Sequence, residues 1–237
     1  MADIEEIEPE AVVGEPEEGS FYYESEDWFE RNRQKLMIGG GAALVVLVAV
    51  IFIFAKWLPD RNLKASREMF MAEAMFARDS VDLALNGSKG AIGGAAPFKG
   101  FLEIKKSYSM TKAANLANYY IGACYLAKKD YKNAIDALNS YSTSDPILGA
   151  AKLNLIGDAY ADQNKADDAA NYYKKAADFS DNEQFAPMYL LKLGKYYERN
   201  KKYNEAKETY NKVKEKYPNT AEGRDVEKYL ARLSVES

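Results

Sequence analysis

The sequence predicts an all-α protein in which a single N-terminal transmembrane helix is followed by an α-solenoid of paired helices. Three observations lead there. Leu36 to Ala55 is a run of twenty residues without a charge. Three segments between Asn115 and Pro218 repeat one pattern of Gly, Tyr and Ala. Between and before those segments, apolar residues recur at helical rather than alternating spacing.

Residues 1–24 open the chain as an acidic tail. Residues 1–35 hold twelve Asp or Glu against Arg31, Arg33 and Lys35, a net of −9; the whole chain is −4, so residues 36–237 are +5. With two prolines and few large apolar groups, the tail buries too little surface to offset ordering entropy, and disorder is expected.

A juxtamembrane and transmembrane helix is expected over 25–57. Ser25 is placed to cap it, with Glu26 and Asp27 in a first turn that favours acids. Trp28 and Phe29 then lie where an interface would fall. A helix of twenty residues is about 30 Å long, the thickness of a bilayer's hydrocarbon core. Twelve of the twenty are Leu, Ile, Val or Phe, which together favour insertion by at most about 4 to 7 kcal/mol. Lys35 and Lys56 close the ends, and Trp57 stands where a belt aromatic would. The acidic leader and the lack of a small-x-small site after the run argue against a cleaved signal. The Gly39-x-x-x-Ala43 spacing is one that lets another helix approach closely in lipid. Arg31, Arg33 and Lys35 on one flank nearly balance Lys56, Arg61, Lys64 and Arg67 on the other, so charge alone does not orient the span.

Residues 58–114 read as a degenerate opening repeat. A helix is expected over 64–86, with Phe70, Met71, Ala74, Met75 and Val81 at helical spacing and Asn86-Gly87 as its stop. GSKGAIGGAAPFKG follows as a flexible connector; it lacks the spacing and the preceding strand of a phosphate loop. A short helix is expected near 98–109 with Phe101, Leu102 and Ile104 inward.

Residues 115–218 carry three repeats that align without gaps. Gly122, Gly157 and Gly194 are each followed three residues on by Tyr125, Tyr160 and Tyr197, and twelve on by Ala134, Ala169 and Ala206. Sixteen after the Gly stand Leu138, Tyr173 and Tyr210; twenty-four after it stand Pro146, Asp181 and Pro218. This is the pattern of the tetratricopeptide repeat, a pair of helices about 34 residues long. Gly122 facing Ala134 lets two helix axes approach, Tyr125 fills the wedge beside them, and Pro146 is expected to stop the second helix. The repeat spacings of 35 and 37 suggest a short insertion in the last inter-repeat loop. Residues 219–237 are expected to close the stack as a capping helix.

In such stacks the first helix of each pair lines the concave face. That assigns Tyr119, Leu126, Asn154, Asp158, Asp162, Met188, Leu191, Lys195 and Arg199 to a partner-binding surface. The carboxylate clamp of chaperone-tail-binding relatives is absent: its positions hold Tyr119, Ala123, Leu155, Met188 and Lys192. Asp158 and Asp162, one turn apart, are expected to be exposed acids and not a metal site.

Several function classes fall away. The chain has no histidine and one cysteine, which removes His general bases, Cys/His zinc sites and an internal disulfide. Cys124, in an apolar run, is expected in the core. No nucleophile–base pair or phosphate loop is visible, so no catalytic residue, metal or cofactor is assigned and an enzyme is not expected. The charge balance does not describe a nucleic-acid surface.

The layout as a whole resembles the YfgM-type ancillary subunits of the bacterial SecYEG translocon. The resemblance rests on Trp28, Phe29 and Asn32 before the span 36–55, on Lys64-Ala65-Ser66 with Ala72 after it, and on the three repeats. The acidic tail and the Gly-rich insertion depart from that pattern. It implies a single-pass inner-membrane protein, N-terminus cytoplasmic and repeats periplasmic, held at the translocon through Trp28, Phe29, Gly39 and Ala43. The repeats would then contact periplasmic chaperones or emerging unfolded polypeptides. An envelope or division-site scaffold unrelated to secretion is the alternative.

Overall fold

The computed structural model describes residues 18–91, 96–180 and 182–236. Of the tail expected to be disordered over 1–24, residues 1–17 lie outside them, as does Asp181, whereas residues 18–24 are helical. The chain divides into two compact units, Met1–Ala55 and Lys56–Ser237.

The first unit is one helix, α1 (Glu18–Phe52). It starts seven residues before Ser25, which therefore sits inside the helix and is no cap. An acidic residue at the start is itself favoured by the helix dipole, and nothing from Phe21 to Glu24 breaks a helix. Leu36, Leu44, Val46, Ile51 and Phe54 are all exposed. None of the apolar window is buried within the protein, and the helix is long and apolar enough to cross a membrane. A soluble core helix would bury that surface. Ile53–Trp57 adopts a π-helical turn, within which the second unit begins at Lys56.

That unit is an α-solenoid of helices in chain order. α2 (Leu58–Phe76) and α3 (Val81–Asn86) come first, then α4 (Phe101–Ser107). The three repeats are α5 (Lys112–Ala127) with α6 (Tyr131–Ser140), α7 (Pro146–Asp162) with α8 (Ala166–Ser180), and α9 (Ala186–Arg199) with α10 (Tyr203–Lys216). α11 (Ala221–Glu236) closes the stack against α10 and α9.

The helix expected over 64–86 is two helices, broken at Ala77–Ser80. Of the expected stripe, Met75 and Val81 pack against the core, but Phe70 is 65% exposed, and the fully inward positions are Ala65, Met69 and Ala72. The break has a physical cause that recurs. Asp79 takes a left-handed backbone (φ 54°), and Ser80 N donates to Met75 O at 2.9 Å. Lys129, Asn164 and Lys201 do the same at φ 61°, 58° and 59°, each seven residues after the repeat Gly. The following amides of Asp130, Lys165 and Lys202 donate to Tyr125 O, Tyr160 O and Tyr197 O at 2.9, 3.0 and 2.9 Å. This closure satisfies carbonyls orphaned at a helix end. Its presence at Asp79 sets Ala72 in the Gly place and Ala84, twelve residues on, in the Ala place; both are fully buried. α2 with α3 thus keeps the offsets of the three repeats, and α4 is an extra helix. Gly87 (φ 76°) ends α3. Gly87–Ser88 (β1) then pairs antiparallel with Phe98–Lys99 (β2), Gly87 opposite Lys99. The Gly-rich segment thus begins and ends in a short ladder, where a structureless connector was expected.

α4 buries Phe101 and Ile104, with Leu102 partly buried against the same core. Phe101 stacks on Tyr120 at 4.7 Å between centroids.

The three repeats from α5 to α10 are each held at a Gly. A side-chain carbon at Gly157 would lie 2.6 Å from Tyr173 Cε1, and one at Gly194 would lie 2.6 Å from Tyr210 Cδ1. At Gly122 it would strike Leu138, with Ala134 O at 3.1 Å. The residue sixteen positions on is therefore the main partner, and the Ala twelve on admits it. Pro146 does not stop α6, which ends at Ser140. It opens α7, where its missing N–H costs nothing. Asp145 caps that helix, accepting from Ile147 N at 2.8 Å and Leu148 N at 2.9 Å. Nor is the longer spacing placed in a loop: α6–α7 and α8–α9 are each joined by five residues, 141–145 and 181–185. α8 is 15 residues where α6 is 10, so helix absorbs it.

Residues 59–237 should fold alone, because this unit buries its own core. Circular dichroism of that fragment is expected to show a strongly helical spectrum and a cooperative melt. Gly157→Leu should cost the usual 1–3 kcal/mol of overpacking or somewhat more. An unchanged melt would show the repeat register to be wrong.

Candidate functional site

The first helices of the three repeats line one concave surface with two adjoining hollows. The larger, about 680 Å³, is bounded by Leu126 of α5, Asp158 and Asp162 of α7, and Met188, Leu191, Lys195 and Arg199 of α9, with Glu222 of α11 at one edge. The smaller, about 260 Å³, is bounded by Tyr119, Asn154 and Leu155 and shares Met188 and Lys192 with the first. Every concave residue assigned from the sequence borders one hollow or the other. Helical spacing brings them there: residues three and four apart share a face, and the stack sets α5, α7 and α9 side by side.

At the centre stands a network that sequence spacing did not reveal. Lys192 Nζ donates to Asp158 Oδ1 at 2.6 Å and to Asn154 Oδ1 at 2.7 Å, and lies 4.7 Å above the Tyr173 ring. Tyr173 OH donates to Asp158 Oδ1 at 2.7 Å, and Asn154 Nδ2 to Asp158 Oδ2 at 3.3 Å. Asp158 is thus half-buried and paired, not the exposed acid expected; Asp162 is exposed. With side chains 39% and 31% exposed, the ion pair adds at most about 1 kcal/mol. Its consequence is positional, since it fixes Asn154, Asp158 and Lys192 across two repeats. Lys192 was legible only as a replaced clamp position. Tyr173 was legible only as the repeat position sixteen residues after the Gly; its ring fills the space beside Gly157 while its hydroxyl emerges in the cleft.

Around this centre the cleft is mixed in character. Met188, Leu191 and Leu126 supply apolar surface. Lys195 lies 4.8 Å from the Tyr229 ring and Arg199 5.2 Å from the Tyr196 ring, so both cations are held by aromatic faces. Asp162 and Glu222 are carboxylates on the same rim. Among the described residues no three His, Cys, Asp or Glu gather as metal ligands would. Cys124 is fully buried, and burial, with Asp82 nearby, pushes its thiol up to about 12, so it is a packing residue.

On α1, Trp28 and Phe29 are exposed, 54% and 58%, and meet edge to face at 5.2 Å. Asn32 Nδ2 bonds Trp28 O at 2.9 Å within the helix. A side-chain carbon at Gly39 would meet nothing within 4 Å, so the face it shares with Ala43 is open.

Comparison with protein families accords with this architecture. Residues 116–146 and 189–220 match one tetratricopeptide repeat model, and residues 153–182 match a second. The three matched stretches are the three helix pairs. Comparison with curated proteins gives no match. The class is thereby defined: the chain carries a tetratricopeptide solenoid, the architecture of protein-interaction scaffolds, with one helix fit to span a membrane.

Burial and the bond to Asp158 both push the Tyr173 phenol up, and burial and Glu198 do the same to Tyr210. A raised folded pKa gives stability that is present below the free phenol value of about 10 and is lost as pH rises past it. Thermal melts should therefore fall more steeply above about pH 10 in the native protein than in a Tyr173→Phe, Tyr210→Phe variant. Parallel curves would show that neither hydroxyl is held protonated by the fold.

Proposed function

We propose that this protein is a non-enzymatic, membrane-anchored tetratricopeptide adaptor of the bacterial inner membrane that works beside the SecYEG translocon. Its N-terminus is cytoplasmic and its repeats are periplasmic, where they receive a chaperone or an emerging unfolded polypeptide. The observation that carries the reading is the joining, in one chain, of an apolar helix buried against nothing in the protein with a solenoid whose concave face holds a mixed apolar and charged cleft. The resemblance to YfgM-type subunits supports the choice of membrane complex and the orientation.

The two parts divide the work. A helix exposing Trp28, Phe29 and the Gly39–Ala43 face can pack on other helices in lipid, where small residues permit close approach. A curved solenoid offers a long groove to a chain in water. Met188, Leu191 and Leu126 suit apolar side chains of a client, while Lys195, Arg199 and Asp162 suit its charges.

Protease added to intact spheroplasts should digest the repeats and spare the acidic tail. Replacing residues 36–55 by an unrelated apolar helix should abolish co-purification with the translocon and leave the solenoid folded. Charge reversal at Asp162, Lys195 and Arg199 should weaken only the soluble partner. Digestion of the tail alone would move the repeats to the cytosol. Retention of the translocon after the helix swap would show that the repeats recruit it.

A further inference from the structure

The corner where α4 meets α5 is tied to the first turn of α2. Arg61 Nη2 donates to Ser107 O at 2.5 Å, and its guanidinium lies 4.9 Å from the Trp57 ring and 5.5 Å from the Tyr108 ring. Asn62 Oδ1 accepts from Ala113 N at 3.0 Å. Trp57, the residue read as an interfacial belt aromatic, precedes Arg61 by four residues, about 6 Å along a helix. These contacts hold the 107–113 turn beside Trp57, Arg61 and Asn62, the first residues of the second unit.

What that corner exposes has no role in the solenoid. Met110 takes a left-handed backbone (φ 70°) and is 72% exposed, an unusual state for a large apolar residue. Lys105 and Lys106 end α4 and Lys112 opens α5, all exposed. None of the three forms an ion pair among the described residues. Lys112 also sits at the helix end that disfavours cations, so the fold gains nothing from it. Over residues 100–114 these three lysines face a single acid, Glu103. Lys99, just before, is engaged by Glu68 at 2.8 Å.

We propose that Met110 with Lys105, Lys106 and Lys112 forms a docking surface for anionic phospholipid headgroups, giving the repeat unit a second point of attachment to the bilayer. The lysines meet the lipid phosphates and Met110 enters the interfacial layer. Clustered basic residues close to a span are drawn to an anionic surface and released by salt. The proposal rests on the reading of residues 36–55 as a membrane span.

The test uses the full chain in lipid vesicles, zwitterionic or containing phosphatidylglycerol, with Met110→Cys carrying an environment-sensitive fluorophore. Cys124 is buried and will not compete for the label. The expected result is a blue shift and quenching by shallow spin-labelled lipid in anionic vesicles only. Both should be lost at high salt, which needs no further substitution, and in Lys105→Glu, Lys106→Glu, Lys112→Glu with its helical spectrum intact. An unquenched label in a chain that resists alkaline carbonate overturns this proposal and leaves the span standing. Quenching that is equal in zwitterionic vesicles and insensitive to salt overturns it as well. Removal of the chain by carbonate would overturn both readings.

Discussion

The three helix pairs from α5 to α10 each depend on the absence of a side chain. Gly157 and Gly194 lie so close to the rings of Tyr173 and Tyr210 that even one carbon would intrude, and Leu138 takes the same place against Gly122. Tyr210 is fully buried and Tyr173 nearly so. The close approach that Gly permits is what allows a ring to be enclosed between two helices. Interiors packed to crystal-like density tolerate added volume poorly. The ring position in turn sets where its hydroxyl emerges, and the cleft's polar centre follows. Tyr173 reaches Asp158 because its ring is seated on Gly157. Tyr210 reaches Glu198 Oε2 at 2.8 Å, and Glu198 binds Arg232 of the capping helix. Burial pushes the Glu198 carboxyl up, but the bonds from Arg232 and Tyr210 outweigh it and hold it below its ordinary value. One packing rule therefore builds the stack, furnishes the cleft and fastens the cap.

The same chain presents its apolar surface in two ways. In the solenoid, apolar groups face one another at helical spacing and the surface is charged. In Leu36–Ala55 they face outward on every side, which is stable only where the surroundings are also apolar. That helix is long and apolar enough to cross a membrane.

Much of this was legible in the sequence because it is written in period and in composition. A run of uncharged residues needs no tertiary context to be read. Three copies of Gly, Tyr and Ala at fixed offsets state a packing geometry directly, and the concave residues follow from it. What was missed lies where backbone conformation or a neighbouring repeat decides. The left-handed closure falls on Asp79, Lys129, Asn164 and Lys201, four positions of which only two are residue types that favour it, so the break within 64–86 left no signal by itself. It becomes visible once the offset of seven from the repeat Gly is applied to Ala72. Pro146 was read with the helix before it although it primes the helix after it, since spacing cannot distinguish the two. The pairing of Asp158 with Lys192 joins residues 34 apart through a stack, and no local pattern announces it.

If Gly and the ring sixteen residues later form one packing unit, substitutions at the two positions cannot act independently. A double-mutant cycle on Gly194→Ala and Tyr210→Leu in the fragment 59–237 measures that dependence. Gly194→Ala should be costly with Tyr210 present and much less so in the Tyr210→Leu background, a coupling of about 1 kcal/mol or more. Penalties that add to within about 0.5 kcal/mol would show the two residues to be independent, and pair geometry would then not rest on the contact between Gly and ring.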